Sequence, residues 1–148
     1  MGKNKQKSPK QEFNPMSGKT PRHKVDVINY QTQHPSWQIA RIDMDGRWGW
    51  NNIEESELKT EVLSKIKNFE SNTWAEILGD NNHEVSIGKI NKDAQKRLDE
   101  LKLYDIESLV SLRLSNKKRI WGIRVAAVLK ILWWDPFHEV CPSPLKHT

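Results

Sequence analysis

One cysteine, Cys141, leaves the 148-residue chain without an internal disulfide. That excludes a small scaffold stapled by disulfides and fits a reducing compartment. Long apolar runs are missing too. The longest, Ile120–Trp134, is interrupted by Arg124 and Lys130, too short and too charged to cross a bilayer as a helix. The charged start Met1–Lys10 leads into polar residues and prolines instead of an apolar stretch, so no secretory signal is read. The expectation is a cytoplasmic protein with no membrane partner. The sequence also lacks a phosphate-cradling glycine loop, a nucleophile elbow and an HExxH helix, which leaves nucleotide hydrolysis and protease chemistry unsupported. Asp135, His138, Cys141 and His147 are of metal-ligand type, but their order lacks paired-cysteine zinc spacing. Neither a metal nor a cofactor is expected.

What is present is charge, unevenly spread. Residues 1–24 hold seven Lys or Arg against Glu12, residues 25–107 hold ten positive and sixteen negative charges, and residues 108–148 hold seven positive and two negative. A chain basic at both ends and acidic between them points to a polyanion partner. Its Lys and Arg would contact phosphate.

Along the chain, residues 1–33 are rich in Lys, Asn, Gln, Ser and Pro. They hold too little apolar surface to offset ordering entropy and read as a disordered basic tail, with Val25–Tyr30 able to add an edge strand. A single domain over 34–148 is expected. Ser36–Met44 reads as a strand with a conflict of phase, which predicts a bulge or burial on both faces. Trp48 and Trp50 follow in a glycine-containing turn and read first as a hydrophobic plug, second as a base-stacking platform. Ile53–Glu70 is the strongest helix, with Leu58, Val62, Ile66 and Phe69 on one stripe and Leu63 beside it. A short helix should start at Asn72 or Thr73, and another over Lys92–Lys102 should be capped by Asn91.

Leu109–Val140 organises the rest. It divides into LVSLRL, RIWGIRV and VLKILWWD, separated by SNKK and a pair of alanines. Strict alternation places Val110, Leu112 and Leu114 on one face of the first run. In the last run Ala127, Leu129, Ile131 and Trp133 alternate with Val128, Lys130, Leu132 and Trp134. The alanine pair lacks ordinary hairpin-turn residues, so a continuous helix from Ile123 to Trp134 stays open beside the strands. The fold class expected is α+β, with N-terminal helices packed on an antiparallel sheet of three to four strands.

The order of helices followed by arginine-bearing strands, with LRLSNKKRIWGIR and WWDPFHEVCP closing the chain, resembles the RelE/ParE superfamily of small bacterial toxins. The resemblance covers the sheet region, residues 109–141. It implies an endoribonuclease of the RelE, YoeB and HigB kind that cleaves mRNA on the ribosome, and a neutralising antitoxin protein as partner. Cleavage by attack of a 2′-hydroxyl needs a proton acceptor, a proton donor and cations for the charge building on phosphorus. His138, Arg124 and Arg119 are the catalytic candidates, with Arg124 ranked above Arg119 because the neighbouring Gly122 would let a ligand approach. Arg113, Lys117, Lys118, Lys130, Lys146, Trp121 and Trp134 are the RNA-binding candidates. Two other readings remain: a non-catalytic module that binds nucleic acid or protein, and a gyrase poison like ParE. The blandest alternative pairs the arginines with the acidic helices.

Overall fold

A computed structural model describes residues 28–142. It has α+β architecture with a five-stranded mixed sheet: β1 (Ser36–Gln38), β2 (His83–Ser86), β3 (Ser108–Arg113), β4 (Arg119–Val125) and β5 (Val128–Asp135). The order across the sheet is β1-β5-β4-β3-β2. All neighbours run antiparallel except β1, which lies parallel to β5 with Trp37 beside Leu129. The expected three to four strands are therefore one or two short. The two additions are edge strands of three and four residues, too brief to carry a periodic pattern of their own.

The helical cover begins with α1 (Glu55–Glu57), continues without a break through a π-helical stretch over Leu58–Leu63, and ends in α2 (Ser64–Glu70). Val62 is buried, and Leu58, Ile66 and Phe69 pack beside it, whereas Leu63 faces out. Next, α3 (Trp74–Ile77) opens on a capping box, in which the Thr73 side chain accepts from the Glu76 N–H and Glu76 accepts from the Thr73 N–H. Both orphan donors at that end are satisfied. The helix α4 (Lys92–Glu100) is capped by the Asn91 side chain, which accepts from Ala94 N–H at 2.7 Å.

The sheet is the middle layer. One face packs Val110, Leu112, Ile120, Leu129, Ile131 and Trp134 against the 55–70 helical segment and α3. The other packs Leu109, Trp121, Leu132 and Trp133 against Ala94 and Leu98 of α4. Neither face is free over its length.

Alternation in β5 breaks at Leu132, where a bulge lets Trp121 pair with Trp133 and Gly122 with Ile131. Trp133 consequently changes face and joins Leu132, while Trp134 joins Leu129 and Ile131. The carbonyl freed at the bulge is not left bare. Leu132 O accepts from Asp43 N–H at 3.0 Å and from the Trp50 indole at 3.2 Å. This loop replaces the longer first strand expected over Ser36–Met44. The chain leaves the sheet after Gln38, and Asp43–Trp50 folds back over β5, with Trp134 N–H donating to Trp48 O. Trp48 and Trp50 are 2% and 7% exposed, a plug and not a stacking platform. Gly49 is required there, because a Cβ would lie 2.2 Å from Asp45 O.

The two alanines do form a two-residue hairpin loop, with Val125 opposite Val128 and Ala126 at φ +59°. The continuous helix over Ile123–Trp134 is thereby set aside. Ahead of β1, Tyr30–Thr32 is a 3-10 turn and Gln33 O accepts from Trp74 N–H. Tyr30 is in that turn and not in an edge strand, while residues 1–27, with Lys146 and His147, lie outside the described residues. Among the described residues no helix is long and apolar enough to cross a membrane.

Candidate functional site

At one end of the α4 face, β2, β3, β4 and the segment after β5 frame a cleft of about 380 Å³, lined by Asp80, Asn81, His83, Arg113, Arg119, His138, Cys141 and Pro142. Arg113 and Arg119 are directly opposite each other across β3 and β4. Like charges in that position oppose strand pairing, so the sheet tolerates a repulsion here. Neither guanidinium forms an ion pair among the described residues. Their hydrogen bonds go to neutral oxygens: Arg113 donates to Asn116 O and Asn81 Oδ1, and Arg119 to Asn116 O at 3.2 Å and to Lys118 O. Burial and the charge of Arg113 both push the Arg119 guanidinium below its ordinary pKa, with Asp135 pulling the other way. An anion entering the cleft would relieve the repulsion.

Asp135 itself is fully buried and already engaged. It accepts from the Trp121 indole at 3.1 Å, Glu139 N–H at 2.8 Å and Val140 N–H at 3.0 Å. These bonds fold the chain after β5 into a tight turn that carries His138 at φ +59°. Asn91 fastens the same turn to α4, accepting nothing from it but donating through Nδ2 to Glu139 O and through N–H to Val140 O. The His138 ring makes no hydrogen bond among the described residues and remains available. Burial first, then the charges of Arg119, His83 and Arg113, push its pKa below the ordinary 6.5, against the pull of Asp135. These effects favour the neutral ring, the form able to accept a proton.

The sequence candidates separate sharply. His138, Arg119 and Arg113 share the cleft. Arg124 is on the opposite sheet face, its guanidinium 4.4 Å from the Trp74 ring centroid and its Nε donating to Ala126 O. The space beside Gly122 is filled by Leu129, whose Cγ would lie 2.8 Å from an added Cβ, so no ligand approaches there. Trp121 and Trp134, each 1% exposed, are core residues that cannot stack on a base. Lys118 is tied to the helical cover through Glu57 at 3.0 Å. Lys117 is exposed on the turn between β3 and β4, and Lys130 lies at the far end of the sheet.

Comparison with family models, curated proteins and solved structures found no match to this chain.

Sequence reasoning missed His83, which lines the cleft from β2 opposite Ser111. No signal in the segment marks it, because the four-residue edge strand HEVS carries a single apolar residue, Val85. Among the described residues, no three His, Cys, Asp or Glu side chains are grouped to hold a metal ion.

Proposed function

We propose that the Arg113–Arg119–His138 cleft binds an RNA phosphodiester and cleaves it through attack of the adjacent 2′-hydroxyl, as the resemblance to the RelE/ParE toxins implies. The observation that carries the reading is the cross-strand arginine pair held by neutral acceptors in a cleft that also receives two histidines. Arginine forks match phosphate oxygens in geometry and charge.

In this scheme neutral His138 removes the 2′-OH proton, and the 2′-oxygen attacks phosphorus. Arg113 and Arg119 stabilise the charge on the equatorial oxygens. The bond to the 5′-oxygen breaks, and that oxygen takes a proton from His83, leaving a 2′,3′-cyclic phosphate and a 5′-hydroxyl. Two histidines with these roles divide acid and base duties as such chemistry requires.

The test incubates the protein with single-stranded RNA in EDTA, and separately with translating ribosomes in magnesium-containing buffer. Cut RNA bearing 5′-hydroxyl ends is expected, with 2′-deoxy substitution at the scissile nucleotide abolishing the cut. Arg119→Ala and His138→Ala should lower the rate at least about 100-fold, while Arg124→Ala should not. RNA left intact in every condition removes the catalytic reading. Retained binding under those conditions would favour the non-catalytic module.

A further inference from the structure

A second cationic cleft lies at the other end of the α4 face of the sheet. It has a volume of about 190 Å³, and its lining includes Arg41, Lys102, Tyr104, Asp105, Ile123 and Lys130. Three chain segments build it. Arg41 follows β1, Lys102 and Tyr104 follow α4, and Lys130 in β5 is paired across the sheet with Ile123 in β4. The three cations form no ion pair among the described residues and face one carboxylate, Asp105. Tyr104 is 67% exposed, beside a partly buried Ile123. Lys102 is fixed in a left-handed conformation at φ +61°, where the chain turns out of α4, with Leu103 N–H bonded to Leu98 O.

An exposed aromatic ring among unpaired cations is the combination that holds single-stranded nucleic acid, the ring taking a base and the cations its phosphates. We infer that this second cleft is a binding subsite for single-stranded RNA, with a base stacked on Tyr104 and the flanking phosphates on Arg41, Lys102 and Lys130. The choice of polyanion rests on the RNA reading of the first cleft. Ile123 and Arg119 are on the same face of β4, four residues apart, which at strand spacing is about 13 Å. A short oligonucleotide would fill one cleft, and a longer one would engage both and gain by linkage. The alternative occupant, an acidic peptide, would use the cations but gain less from the ring.

The test measures fluorescence anisotropy of the full chain with a labelled dinucleotide, a labelled RNA dodecamer and a labelled polyglutamate peptide. Tyr104→Ala should weaken dodecamer binding about 10-fold or more, Tyr104→Phe should restore it, and Lys102→Glu should weaken it at unchanged melting temperature. Cleavage of the dinucleotide should be unaffected by all three. Dodecamer affinity indifferent to Tyr104→Ala and Lys102→Glu overturns the subsite, as does tighter binding of polyglutamate than of RNA. Loss of cleavage-site function is recognised separately. If Arg119→Ala changes nothing while Tyr104→Ala abolishes binding, the first cleft has been misread and the second stands.

Discussion

Two buried aspartates shape the α4 face, each accepting a tryptophan indole. Asp135 takes Trp121, and Asp43 takes Trp133 at 2.8 Å. Asp43 also accepts two bonds from Arg97, at 2.9 and 2.8 Å. Burial pushes the Asp43 carboxyl up, but the hydrogen bonds from Arg97 and Trp133 and the Arg97 charge hold it below its usual 3.8. A carboxyl depressed in the folded state contributes stability that is fully present above the unfolded value and is lost as pH falls through the folded one. Denaturant unfolding of the wild type and of Asp43→Asn should therefore differ at neutral pH, and the gap should narrow as pH drops below 3.8. A gap that stays constant would show that the carboxylate charge contributes nothing. At this scale the sequence was a partial guide. His138 and Arg119, both read from the sequence as candidates, share one cleft. Strand parity separates Arg124 from Arg119, but parity alone does not say which face bears a cleft. Local spacing also says nothing about Leu129 occupying the room beside Gly122.

The hairpin between β4 and β5 turns on Ala126, an L-residue with a Cβ in the left-handed region. Glycine adopts that conformation without the steric cost, about 1 kcal/mol. Ala126→Gly should accordingly raise unfolding free energy by about 0.5–1 kcal/mol, read from the midpoint of a urea titration at unchanged slope. A fall in the midpoint would mean that the extra freedom of glycine in the unfolded chain outweighs the relieved strain. The elements themselves were largely legible. The stripe expected over Ile53–Glu70, a cap at Asn72 or Thr73, the Asn91 cap and three strands follow from periodicity and capping chemistry, and the structure starts the first helix at Glu55 and chooses Thr73. The bulge at Leu132 was not, because it depends on Asp43 and Trp50 arriving from a distant loop to satisfy the carbonyl. Edge strand β2 was hidden for a related reason: four residues, three of them exposed, present no alternation to read.

As a whole, the molecule is a sheet packed on both faces, with a cleft lined by unpaired cations at each of the two ends of one face. Association with RNA should weaken steeply with salt, since each neutralised phosphate releases a counterion. Replacing Arg113 or Arg119 by alanine should lower the slope of log affinity against log salt by about one for each residue. A slope unchanged in both variants would place the phosphates elsewhere.

The parallel pairing of β1 with β5 has a consequence for how the protein is made. Ser36 is among the first residues of the sheet and Val128 among the last, yet they are neighbours. Contacts this distant in sequence are slow to form. During synthesis Trp74 emerges long before Ala127, whose carbonyl accepts its indole at 2.9 Å, and Trp50 long before Leu132. A nascent chain halted before β5 lacks Leu129, Ile131 and Trp134 under one cover layer and Leu132 and Trp133 under the other, so its earlier tryptophans are left without their partners and open to chaperones or to other chains. A chain halted before Val140 lacks the turn that holds His138, and with it the activity proposed for that residue.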